Sequence, residues 1–313
     1  MRHVFVLFET GEVKEIKPLD AVPVTMPLSK GEFHCRTNKA KYVAAVNDLL
    51  RHIHRGDIYE INYCMEFYAT NVVMDANSVF AKLKELTGAP FAGMYAYEDK
   101  IILCASPERF IKKEGNKLIT QPMKGTAPRG GTPGADARLK KELAHSVKEQ
   151  TENVMAVDVA RNDLARIAQR GSVVTTQLFG VQTFTNVHQM VSTVECRLKD
   201  VGLAEILGAV FPPASMTGAP KISACKFIAQ NELSPRGIYS GCLGWIDAKG
   251  DMDLCVVIRT IIYDPARRQL SFHVGSAITA AAEPEKEWEE CLLKADALLR
   301  ALGVGVSEVT FAK

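Results

Sequence analysis

Three things are missing from this sequence of 313 residues, and each absence argues against a class of function. Charge of one sign is missing. There are 38 Lys+Arg against 36 Asp+Glu, a difference of +2, and no Lys/Arg cluster stands out. That argues against a polybasic nucleic-acid binder. Paired cysteines are missing as well. Cys35, Cys64, Cys104, Cys196, Cys225, Cys242, Cys255 and Cys291 are scattered, none at CxxC spacing, and no His/Cys set has zinc spacing. The spacing speaks against a tetrahedral transition-metal centre and for buried free thiols in a reducing compartment. Lastly, no apolar run approaches the ~20 residues that cross a bilayer. The opening MRHVFVLFETGEV is too soon charged for a secretory leader. A cytoplasmic chain with no membrane or nucleic-acid partner is expected.

What is there is ordinary globular material, with 47% hydrophobic and 24% charged residues. At ~150 residues per domain the length allows about two domains. No linker-like stretch divides the chain, so one catalytic domain over residues 1–313 is expected, with 1–35 as a residual N-terminal segment. HVFVLF reads as a strand, and Pro18, Pro23 and Pro27 disfavour regular structure over 17–30. Tyr42, Val46, Leu49, Leu50 and Ile53 mark a helix face that ends near Arg55-Gly56. IYEINYCMEFYA has the β-branched and aromatic content of a strand. A meander is expected over 93–120, then a flexible Gly/Pro loop over 125–135 and a long helix over 136–156. Further strands are expected at 172–179, 190–196, 239–247, 253–263 and 269–275, with helices at 202–210, 219–232 and 284–302. Runs of strands interrupted by helices favour an α+β fold over a doubly wound parallel sheet.

Two helices carry acidic pairs. Glu149 and Glu152 stand at i, i+3, and Glu287, Glu290 and Lys294 stand at i, i+3, i+7. Each set shares one helix face. Alone, either pair is what any solvated face carries. If the two helices face one another, their oxygen-only donors suit Mg²⁺.

Four further segments are unusual: Ser106-Pro107-Glu108-Arg109-Phe110, Pro122-Met123-Lys124-Gly125-Thr126, the run from Asp158 to Arg166, and Phe211-Pro212-Pro213 through Gly218-Ala219-Pro220-Lys221. Together with GDIYEIN at 56–62, HQMVSTV at 188–194 and EKEWEECLLK, in that order, they resemble the chorismate-utilising enzymes. That family includes anthranilate synthase component I, aminodeoxychorismate synthase component I, isochorismate synthase and salicylate synthase. The resemblance runs from about residue 36 to 302 and implies the family's fold, antiparallel sheets packed face to face with helices outside. Larger members have a long N-terminal part where only about 35 residues stand here. A shortened front, which puts any tryptophan site in doubt, is therefore expected.

Within the family, Lys-Gly-Thr at 124–126 resembles the amine-adding aminodeoxychorismate synthases, where anthranilate synthases carry alanine in place of the lysine. A lysine there can act as a nucleophile if burial or nearby cations lower its pKa. Without the resemblance, Lys124 would pass for a surface lysine at a loop edge. Water-adding members carry a lysine in the GDIYEIN segment and amine-adding ones a glutamine. This chain has Glu60, which either orients ammonia or is simply a satisfied polar residue. Where many members read H-L-V-S, the chain has Gln189-Met190-Val191-Ser192. His188, one residue earlier on a strand, points to the opposite face.

The resemblance implies the following roles. Mg²⁺ is held by Glu152 and Glu290, with Glu149 and Glu287 beside them. Lys124 is the nucleophile and Glu108 the general acid at the C4 hydroxyl of chorismate. Arg259, Tyr239 and the backbone at Gly275 hold the enolpyruvyl carboxylate, and Gly125, Thr126, Thr217 and Lys294 lie near the substrate. For Arg259 alone, a strand residue paired with a surface acid is the simpler reading. Asp158, Arg161, Asn162 and Asp163 are expected to form a structural ion-pair and capping cluster. The implied activity is Mg²⁺-dependent transfer of ammonia, from a glutamine amidotransferase subunit, to chorismate. The product is 4-amino-4-deoxychorismate, the precursor of para-aminobenzoate and folate. Anthranilate formation and a non-catalytic chorismate-binding subunit are the alternatives.

Overall fold

The computed structural model describes residues 17–18, 31–97, 99–185 and 187–312. The strand expected at HVFVLF and most of the proline-rich 17–30 stretch lie outside them. Of that stretch, Lys17–Pro18 is a short strand paired with Phe91–Tyr97.

Two sheets organise the described residues. The first runs in the order Lys17–Pro18, Phe91–Tyr97, Lys100–Ser106, Thr260–Asp264, Gln269–Thr279, Glu60–Thr70, Glu32–Cys35 and Thr310–Phe311, with Gly218–Ala219 added to Glu60–Thr70. The second runs Cys242–Ile246, Met252–Val256, Arg109–Glu114, Lys117–Thr120, Val187–Arg197 and Met123–Pro128, with Val174–Thr183 also on Val187–Arg197. All these pairings are antiparallel except that of Thr310–Phe311 with Glu32–Cys35. Tight turns such as Glu114-Gly115-Asn116 make antiparallel neighbours of consecutive strands.

The sheets meet through a small apolar layer. Ile102 and Cys104 come from the first, and Leu243, Cys255 and Val257 from the second and its continuation. Helices cover the outer faces. Helix α1 (Lys39–Arg55) is capped by the Asn38 side chain and ended by Gly56 at φ 83°. Its Tyr42, Val46, Leu49 and Ile53 recur at helical spacing and pack on the first sheet beside Trp288, Cys291, Ala295 and Leu298 of the last helix. Helix α2 (Ala76–Thr87) lies on the same side. On the second sheet, Val157, Leu164 and Ile167 pack with Ile206, Leu207 and Val210 against Val194, Leu254 and Val256. All eight cysteines are free, and seven are buried.

Three expectations need correction. The supposed loop over 125–135 is mostly ordered: Met123–Pro128 is a strand, and helix α3 (Pro133–Ala144) starts at once, capped by Thr132. Arg129 closes the remaining turn by pairing with Asp136. The expected helix over 136–156 is two helices. His145 and Ser146 separate α3 from α4 (Val147–Ile167), because the Ser146 hydroxyl caps a new start by accepting from the Glu149 amide. The expected strand over 253–263 breaks into Met252–Val256 and Thr260–Asp264, with Arg259 between them at φ 52°. Three more helices, α5 (Leu203–Val210), α6 (Lys221–Asn231) and α7 (Pro284–Ala301), stand where expected.

Candidate active site

Lys124 leaves the second sheet and reaches the first. Its strand bulges opposite Gln189 and Val191. The bulge is made by Gly125 at φ 87°, a conformation that favours glycine. A Cβ at Gly125 would also stand 2.7 Å from Glu149 Oε2. Glycine therefore lets the Lys124 strand lie directly against α4. Lys124 Nζ donates to Glu60 Oε1 at 2.6 Å, at the start of Glu60–Thr70, and the two side chains are 9% and 3% exposed. Burial alone lowers an ammonium pKa. Here the charges of Glu60, Glu152 and Glu108 outweigh burial and push Lys124 up to about 12. The sequence suggested a depressed pKa. The structure overturns that, because carboxylates and not cations surround the amine.

Glu108 sits in the two-residue link between Lys100–Ser106 and Arg109–Glu114 and is buried. Burial pushes its carboxyl up to about 7, against the opposing pull of the Ser215 hydroxyl, Lys124 and the Met123 backbone. Such an acid is protonated in a good fraction of molecules at neutral pH and can donate there.

The acidic pairs of α4 and α7 come together. Lys148 Nζ lies 3.2 Å from Glu287 Oε1 on α7 and 3.9 Å from Glu152 Oε1 on its own helix. Lys294 Nζ lies 2.5 Å from Glu290 Oε1. Burial raises Glu149, Glu152 and Glu287, with Glu152 reaching about 7, and neighbouring carboxylates add to this, those of α7 for Glu149, Glu149 and Glu60 for Glu152, and Glu290 for Glu287. Glu290 goes the other way, because Lys294, Lys148 and Lys124 together outweigh its burial. As they stand, no three His, Cys, Asp or Glu side chains among the described residues are gathered closely enough to hold a metal ion. The donor chemistry nevertheless fits a hard divalent cation. All four groups are carboxylates from facing helices, and Glu287 Oε2 is buried with no hydrogen-bond partner among the described residues.

The remaining expected residues stand on several elements of both sheets and the segments between them. Arg259 is paired with no acid among the described residues, contrary to the simpler reading. Its Nη1 donates to the Lys294 carbonyl at 2.8 Å, and burial lowers its pKa. A half-buried guanidinium without a carboxylate partner can clamp one from a ligand. Tyr239 is buried, stacked on His273 at 5.1 Å. Gly275 lies mid-strand, where a Cβ would meet Cys64 Sγ at 2.5 Å, and its carbonyl accepts from Lys294 Nζ at 2.8 Å. The Thr217 hydroxyl donates to the Pro213 carbonyl, and Thr217 O accepts from the Asn62 amide. Thr126 is exposed and sits across from Gln189. Gln189 is buried, its Oε1 without a hydrogen-bond partner among the described residues. His188 faces away from Gln189's side, held by Asp136 at 2.9 Å and Thr183 at 3.0 Å. Asp163 makes a buried 2.6 Å pair with Lys221, whereas Asp158 and Arg161 make an exposed one.

Sequence reasoning missed Lys148 outright and the partner of Glu60. Lys148 looks like any exposed helix lysine. Glu60 was noticed, but its partner lies 64 residues away on the other sheet. Among the described residues no helix is long and apolar enough to cross a membrane.

Comparison with known proteins adds the context. The family model for "chorismate binding enzyme" matches residues 9–300. The chain is 34% identical over 272 residues to aminodeoxychorismate synthase component 1 of Escherichia coli, covering 87% of this chain and 59% of that one. It is 37% identical over 292 residues to the aminodeoxychorismate synthase of Streptomyces griseus, covering 92% and 39%. The crystal structure of anthranilate synthase component I from Streptococcus pneumoniae superposes with a TM-score of 0.78 at 28% identity, covering 88% and 62%. The chain thus spans under two thirds of the length of these proteins.

Proposed function

The chain belongs to the family of chorismate binding enzymes, and from that premise we propose that it aminates chorismate at C4. The product is 4-amino-4-deoxychorismate, and ammonia comes from a glutamine amidotransferase subunit. The observation that carries the reading is the buried Lys124–Glu60 pair beside Glu108: a nucleophile, a proton acceptor and a proton donor on one wall. The aminodeoxychorismate synthase relatives support the same choice, and "component 1" in the Escherichia coli relative's name supports a partner subunit.

The chemistry divides among the residues. Arg259 clamps the enolpyruvyl carboxylate, with Tyr239 and the Gly275 backbone beside it. Lys124 adds conjugately to the ring diene, forming a C–N bond as the C4–O bond breaks. Glu108 gives its proton to the departing hydroxyl, which leaves as water. With a pKa of about 12 the free amine is scarce at neutral pH. Its proton therefore passes to Glu60, 2.6 Å away, only as the C–N bond forms. Ammonia then attacks C4 and expels the Lys124 amine, which recovers its proton from Glu60. Glu108 takes back the proton shed by the new amine. Two easier displacements replace one difficult one. Glu152 and Glu290 would hold Mg²⁺, with Glu149 and Glu287 beside them, and a bound ion would supply Lewis-acid withdrawal of electron density.

The test is the product formed from chorismate, ammonium and Mg²⁺. 4-Amino-4-deoxychorismate without free pyruvate is expected. Anthranilate with pyruvate would overturn the reading, as would chorismate binding with no turnover even when a glutaminase partner is supplied.

A further inference from the structure

Resting on the metal reading above, we propose that Lys148 is a resident counter-cation of the acidic site, a positioning residue that ties α4 to α7 through their carboxylates and competes with the divalent ion for them. Lys148 stands in the first turn of α4 and bridges Glu287 and Glu152 at 3.2 and 3.9 Å. Glu287 is 2% exposed, and its second oxygen has no hydrogen-bond partner among the described residues. Without Lys148, a buried carboxylate would lose its counter-charge, a costly state. The Lys148 side chain is 44% exposed, so it enters the cluster from solvent and can return there. Lys294 differs. Its ammonium is also fixed to the Gly275 carbonyl, so it belongs to the wall. Lys148 Nζ has only carboxylate partners among the described residues, and nothing else anchors its tip.

A divalent cation entering between Glu152 and Glu290 meets this ammonium at close range. Like charges there repel by enough to matter even at high effective dielectric. The ammonium therefore swings out when the ion binds, and the apparent metal affinity is the intrinsic one reduced by that exchange. Glu287 and Glu152 thus keep a cationic neighbour in both states, Lys148 without the ion and the ion itself when it is bound.

Three measurements test this. Titration calorimetry of the full chain with Mg²⁺ alone should show Lys148→Met binding about tenfold more tightly than wild type, with Lys148→Arg, which keeps the charge, close to wild type. Acetylation of wild-type Lys148 by acetic anhydride, followed by peptide mass spectrometry, should rise several-fold when Mg²⁺ is added. The metal-free Lys148→Met protein should melt lower than wild type and regain the difference with Mg²⁺. If Lys148→Met binds Mg²⁺ no more tightly, or Lys148 is labelled equally with and without the ion, the exchange is refuted and the metal site stands. If wild type binds no Mg²⁺ at all, the metal site and the exchange fall together. The labelling arm uses native protein and needs no variant to fold.

Discussion

Replacing Lys124 by methionine separates catalysis from architecture. Methionine keeps most of the volume and removes the charge. At 2.6 Å the Lys124–Glu60 attraction is gross, about 6 kcal/mol at an effective dielectric of 20. The measurable quantity is smaller, because desolvating both ends offsets much of that attraction. Removing one partner of a buried pair costs about 3–5 kcal/mol, since the other charge stays behind. Glu60 is 3% exposed in its side chain, so its carboxylate would be left largely out of water. Lys124→Met should therefore lower unfolding stability by about 3–5 kcal/mol in urea titrations followed by circular dichroism, with an unchanged m-value. Adding Glu60→Gln removes the stranded charge and should recover more than half of the loss, although Glu152 and Glu108 also feel the missing ammonium. Both variants should fail to aminate chorismate. If Lys124→Met matches wild-type stability, or Glu60→Gln gives no rescue, the buried pair is not what joins the two sheets here, and the proton path through Glu60 loses its basis.

Glu108→Gln should abolish amination yet stabilise the protein in mild alkali. A carboxyl at about 7 in the fold against 4.5 ordinarily contributes stability that is full below 4.5 and lost as pH rises through 7. At pH 8 the removed penalty is about 3 kcal/mol, readable as a higher urea midpoint than wild type at pH 8 but not at pH 4. An equal midpoint at both pH values would contradict the buried-acid assignment. Gly125→Ala should lose about 1–2 kcal/mol and most activity together, because φ 87° and the 2.7 Å approach to Glu149 leave no room for a methyl group. Wild-type kinetics in that variant would show that the strand and α4 need not touch.

Much of this protein could be read before any coordinates. The periodicity of Tyr42, Val46, Leu49 and Ile53 located α1, because burying one helix face leaves a 3.6-residue imprint, and α7 stands where a helix is expected over 284–302. Ordered motifs identified the family. The misreadings were local competitions that composition does not resolve. GTAPRGGTPGA looked mobile, yet its first part pairs with Val187–Arg197 and its end starts a helix at Pro133. The single helix expected over 136–156 was split by one serine hydroxyl.

The sequence by itself determined most of the helices, the family and the identity of the charged groups, since each follows from side-chain type and short-range spacing. Only the tertiary structure decided what those charges do. Lys124 is an ammonium held near 12 and not a depressed amine, because Glu60 and Glu152 arrive from another sheet and another helix. Lys148 is a bridge although its side chain is exposed, because α7 delivers Glu287 to it from 139 residues away. Electrostatic energy depends on distance and burial in space, and neither is written in the order of residues along the chain.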